Sequence, residues 1–122
     1  MSPHTRILLS AIVALLPAQL ATAFTAEQAA AGRGSYTQFC VACHGADLRM
    51  LPTAPLAGQE FAGKWRTRST NDLLAQLRTT MPPESPGTLG EQGYVGIIAF
   101  LQERNGVAAS DEPLRPAGGE AI

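Results

Sequence analysis

In this chain of 122 residues, the types and spacing that could do chemistry are concentrated in Cys40-Val41-Ala42-Cys43-His44. Thiols three positions apart fall on one face of a helix. There each can add across one vinyl group of the same porphyrin. His44 follows at once, placed to put an imidazole nitrogen on the iron. One short segment could thus make both covalent bonds and a metal bond, and C-x-x-C-H is the attachment signature of haem c.

Other chemistries of the same residues fit less well. A thiol–disulfide site expects a βαβ context, and the surrounding sequence has no strand pattern. A zinc knuckle wants about four ligands. Once the N-terminal segment described below is removed, Cys40 and Cys43 are the only cysteines and His44 the only histidine.

The segment and its surroundings resemble the class I c-type cytochromes over about residues 25–106. The resemblance implies an all-α protein with the small cytochrome c fold: three or more helices wrapped around one haem c, bound covalently through Cys40 and Cys43. It implies His44 as the proximal iron ligand. Met81, followed by proline and 37 residues after His44, matches the distal ligand. Pro82, Pro83 and Pro86 stiffen the loop behind it, and a rigid loop presents a weak thioether ligand with little loss of entropy. Elimination agrees. Met50 lies only six residues after His44, too close along the chain to reach the other haem face easily. Lys64, the sole lysine, is a remote alternative.

Thr53–Gly58 resembles the family segment whose proline carbonyl orients the proximal histidine, with Pro52 and Pro55 both candidates for that carbonyl. Leu56 reads as lining of the haem pocket. Trp65 sits among Lys64, Arg66 and Arg68. It reads equally as a haem-pocket residue that helps neutralise the propionates or as a packed indole in a solvated loop; for Arg68 the solvated reading is preferred. Phe39 adjoins the first cysteine and is expected near the haem edge.

The elements that must hold these residues have their own signals. Thr25 to Gln28 reads as a capping box, opening an Ala-rich helix that should run to about Cys43. Ser69 to Asp72 opens a second helix, with Leu73, Leu74 and Leu77 on its apolar face. Thr88 to Glu91 reads as another capping box. A last helix then carries Tyr94, Ile97, Ile98 and Leu101 at helical spacing and stops at Asn105-Gly106. Gly32 and Tyr36 match the family positions where the first helix meets the last, with Ile97 and Phe100 facing them. Residues 45–69 read as a loop interrupted by Pro52 and Pro55.

Three segments follow: 1–23, 24–106 and 107–122. Arg6, the apolar run Ile7–Leu16 and Ala21-Thr22-Ala23 form a signal peptide cleaved after Ala23. The run is well short of the ~20 residues that span a bilayer, so export to the periplasm with no stable membrane anchor is expected. Residues 24–106 are the cytochrome c domain. Residues 107–122 lack periodicity and read as a flexible tail.

Net charge is −1, and loss of Arg6 leaves 8 basic residues against 10 acidic ones. That excludes the basic footprint of a nucleic-acid binder. Aromatic residues make up only 6%, thin for a small core without a staple, and haem would supply one. With both axial positions filled, the expected role is one-electron transfer in the periplasm rather than catalysis. The loops Cys43–Leu48, Pro55–Gly58, Thr80–Pro83 and Pro86–Leu89 resemble those of cytochrome modules of periplasmic quinoprotein dehydrogenases. That implies electrons arriving from a dehydrogenase and leaving to a terminal oxidase. A haem sensor or enzyme with an open or displaceable distal site is the competing reading.

Overall fold

The computed structural model describes residues 24–116; the expected signal peptide lies outside the described residues. The fold is all-α: α1 (Ala26–Phe39), α2 (Val41–His44), α3 (Gln59–Trp65), α4 (Thr70–Thr80) and α5 (Gly90–Arg104).

Local chemistry explains two of the helix starts. At α1, the Thr25 hydroxyl accepts from the Gln28 amide at 3.2 Å, and Gln28 Oε1 accepts from the Thr25 amide at 3.1 Å. Together they satisfy two of the unpaired N–H groups at a helix start. The Ser69–Asp72 pair does the same for α4. Three expectations need correction. The first helix does not run unbroken to Cys43. It bends at Cys40 (φ −122°, ψ −33°), whose carbonyl accepts from the amides of both Cys43 (3.2 Å) and His44 (2.9 Å). This tightened turn re-aims the last four residues as α2. The stretch read as a loop holds α3, which starts behind Gly58 (φ +91°) without a side-chain cap and buries only Phe61. Neither a cap signal nor a periodicity marked it. Finally, Thr88 does not cap α5. Its hydroxyl donates to the Ser85 carbonyl at 2.8 Å, and α5 begins at Gly90 behind an uncapped Leu89.

α1 and α5 cross at their glycines. A Cβ on Gly32 would collide with the Gly96 carbonyl and lie 2.8 Å from the Ile97 nitrogen, whereas one on Gly34 would meet nothing within 4 Å. Gly32 therefore marks the contact, and Gly34 does not. One turn on, the Tyr36 and Phe100 rings lie 5.2 Å apart, as the resemblance implied. α4 packs Leu73, Leu74 and Leu77 inward. Served by both neighbours, α5 is buried on every face from Tyr94 to Leu101, more than the single stripe its sequence pattern showed.

The segment after α5 folds back. Ser110 donates its amide to the Phe24 carbonyl (2.8 Å), and Leu114 is buried and paired twice with the Gln28 amide group (2.7 and 2.9 Å). The expected tail is thus tethered as far as Leu114. No helix among the described residues is long and apolar enough to cross a membrane.

Candidate functional site

The bend at Cys40 and the tether of α4 to α5 leave a cavity of about 890 Å³, within the ~300–1,000 Å³ typical of cofactor sites. Cys40, Cys43 and His44 line it, and so do Leu56, Trp65 and Met81. The six candidate haem-site residues of the sequence therefore line one cavity. Its lining is predominantly apolar, with Leu73, Leu77, Ile97 and Leu101 contributed by α4 and α5.

His44 closes α2 and is buried, at 7% exposure. Burial pushes its pKa down, and the Ala54 carbonyl facing the imidazole pulls it partly back up. Nδ1 is nevertheless buried without a hydrogen-bond partner in place. A neutral imidazole with one nitrogen set beside a carbonyl suits a metal ligand, because such ligands donate their second N–H to a backbone acceptor. The acceptor at hand belongs to Ala54, between the two prolines considered for the role. Pro55 disfavours helical backbone at the residue before it, and the Ala54 amide donates a hydrogen bond to the Leu51 carbonyl at 3.1 Å.

The loop behind His44 is bonded along its length. The Gly45 carbonyl accepts from the Tyr36 hydroxyl at 2.7 Å and from the Leu48 amide at 3.2 Å. Met50 donates to the His44 carbonyl (3.1 Å), and Leu56 to the Leu48 carbonyl (2.8 Å). Leu48 is fully buried with φ +65°, an unusual conformation for a branched residue, held by these bonds. Asn105, read in the sequence only as a helix stop, ties the far end. Its side chain donates to the Leu56 carbonyl (2.9 Å) and accepts from the Gly58 amide (3.0 Å).

Cys40 is half-buried and Cys43 exposed, both as free thiols. Burial, and then the neighbouring Cys43, push the Cys40 thiol up to about 11. An attacking thiol in a disulfide exchanger is activated by a lowered pKa, so the site lacks that activation. Among the described residues no three His, Cys, Asp or Glu side chains gather to hold a metal, which argues against the zinc knuckle. The donors instead suit a flat apolar group held by two thioethers and one imidazole.

Met81 caps the C-terminus of α4 in extended conformation, and its amide still bonds the Leu77 carbonyl at 2.7 Å. Its own carbonyl accepts from the Tyr94 hydroxyl at 2.7 Å. The helical spacing of Tyr94 marks it simply as core. The available signal was chemical: a tyrosine on a buried face needs a partner for its hydroxyl. Trp65 is half-buried at the cavity, with Lys64 Nζ 5.3 Å and Arg68 Cζ 5.4 Å from its ring centre. Both readings of this residue thus have support, since the indole is packed between cations and also lines the pocket. Lys64 lines the pocket; Arg68 does not. Phe39 and Leu51 line the cavity yet are 44% and 37% exposed, so they mark its mouth.

Residues 27–101 match the family model described as cytochrome c oxidase, cbb3-type, subunit III. The chain belongs to that family. No curated protein and no solved structure matches it. Family, fold and motif together make this a c-type cytochrome, with haem c bound covalently through Cys40 and Cys43. Its role is one-electron transfer, as a carrier rather than a catalyst.

Proposed function

We propose that His44 and Met81 are the axial ligands and that the protein relays electrons in the periplasm between a dehydrogenase and a terminal oxidase. The observation that carries the ligand assignment is that His44, from α2, and Met81, from the end of α4, line one apolar cavity together with both cysteines. Haem supplies the one-electron couple when bound. The chain does the rest. Cys40 and Cys43 would anchor the group, and the buried His44 imidazole would hold the metal with one nitrogen while the other donates to the nearby Ala54 carbonyl. Leu56, Leu73, Leu77 and Ile97 exclude water from the cavity. With His44 and Met81 as its ligands, the haem would have a raised potential, favouring its reduced state. Leu56 and Trp65, which line the cavity, would contact the bound group, Trp65 beside the cation Lys64.

Partners would meet the mouth marked by Phe39 and Leu51, through a small, transient contact. The family name supports a subunit role beside a cbb3-type oxidase. The loops that resemble quinoprotein dehydrogenase modules support a dehydrogenase as donor. Cleavage of the signal peptide after Ala23 accounts for the compartment.

The test is the visible spectrum of the protein matured in cells that attach haem c. Its bands should survive acid–acetone extraction. The ferric form should show the weak far-red sulfur-to-iron band, and Met81→Ala should abolish it. A wild-type protein with bound haem and no such band would remove Met81 from the iron.

A further inference from the structure

Met81 is held at both ends of its backbone, by different helices. Its amide is the last hydrogen bond of α4, and its carbonyl is bonded by a side chain of α5. The next two residues, Pro82 and Pro83, have no N–H to offer that carbonyl. Beyond them the loop is exposed from Pro83 to Thr88, and its internal bonds, such as Ser85 amide to Pro82 carbonyl at 3.0 Å, are local. Tyr94 is itself almost fully buried, at 1% exposure, and lines the cavity. Its ring is therefore fixed, and its hydroxyl fixes Met81 in turn.

We infer that Tyr94 is the positioning residue for the distal ligand: its hydroxyl on the Met81 carbonyl latches the thioether in place and keeps the sixth position of the iron closed to small molecules. This rests on the reading of Met81 as a ligand and deepens it. A thioether is a weak donor, so competition at the iron is decided by how firmly its backbone is held. Without the latch, the carbonyl of the half-buried Met81 can turn to water, and the residue gains freedom that its ligand bond must then oppose. The same bond thus separates a closed electron carrier from a protein whose iron admits ligands.

The experiment is a titration of the ferric holo-protein with imidazole, which must displace Met81 to bind, followed by the loss of the far-red band. Tyr94→Phe keeps the ring that fills the core and removes only the donor. It should bind imidazole about fivefold more tightly than wild type, the size of one net hydrogen bond. Thr25→Ala weakens the cap of α1, far along the chain from the site, and should leave imidazole affinity unchanged. An equal affinity in wild type and Tyr94→Phe, with Met81→Ala binding much more tightly, would overturn the latch and leave the ligand standing. Equal tightening in Thr25→Ala would also overturn it, as general softening. A missing far-red band in wild type would instead overturn the ligand reading and the latch with it.

Discussion

The two loops that carry the candidate ligands are held in opposite ways. Behind His44 the chain is stitched throughout: Gly45, Leu48, Met50, Leu56 and Gly58 all have backbone groups bonded, two of them by the side chain of Asn105. Leu48 is buried in its middle. Behind Met81 the loop is exposed, rich in proline and tied to α5 at its root by Tyr94. The contrast matches the proposed ligands, His44 and Met81. The imidazole follows directly on a covalent anchor and needs a fixed orientation, which a rigid loop provides. The thioether is far in sequence from any anchor, so its grip depends on one well-placed bond. Damage behind His44 should therefore appear as lost stability, and damage at Met81 as lost ligation.

The largest expected effect tests the stitched side. Asn105→Ala removes the bonds to Leu56 and Gly58, together with one to the Leu101 carbonyl at 2.8 Å. At about 1 kcal/mol net for each, denaturant unfolding of the holo-protein should show a loss of about 2–3 kcal/mol. The far-red band should persist under native conditions. If the band disappears before stability falls, the two sides are not separable.

A matched pair of tyrosines sharpens the comparison. Tyr36 and Tyr94 each donate to a carbonyl at 2.7 Å, Gly45 in one case and Met81 in the other. Tyr36→Phe should cost about 1 kcal/mol of unfolding free energy, softened because Gly45 keeps its bond from Leu48. Imidazole affinity should not change. Burial first, then Cys40 and Asp47, push the Tyr36 hydroxyl up to about 12, so it remains a donor throughout the neutral range. Loss of the far-red band in Tyr36→Phe would contradict the division.

The smallest effect is on α4, whose far end carries Met81. Hydrogen bonds from the Ser69 amide and hydroxyl hold the Asp72 carboxyl below its ordinary pKa. A lowered native value means this support is fully present above about pH 4 and is lost as pH falls through the native pKa. Asp72→Asn should therefore flatten the acid limb of the stability profile, read by circular dichroism, and leave the neutral limb nearly unchanged. An unaltered acid limb would show that the cap does not contribute to the start of α4.

Each correction has its own physical cause. Capping boxes at Thr25 and Ser69 were legible because donor and acceptor lie within one turn. The same signature at Thr88 failed because Ser85 offered a competing carbonyl and the helix starts one residue later, behind Leu89. α3 was illegible because it has no cap and buries a single residue. The tethering of Leu114 needed knowledge that Gln28, already used in a cap, had a spare donor facing it.

By itself the sequence determined the attachment chemistry, since Cys40, Cys43 and His44 are adjacent and need no fold to be recognised. It also determined the helices of α1, α4 and α5, whose signals are local. The glycine crossing came from resemblance, and the structure supplied its reason in the backbone of Gly96. Only the tertiary structure decided how the candidate ligands are held. Tyr94 reaches a carbonyl 13 residues away, and Asn105 reaches groups 47 and 49 residues away. Periodicity records which face of a helix is buried and not what that face touches. A hydroxyl or amide on a buried face must find a partner, but which partner is settled only when the helices pack.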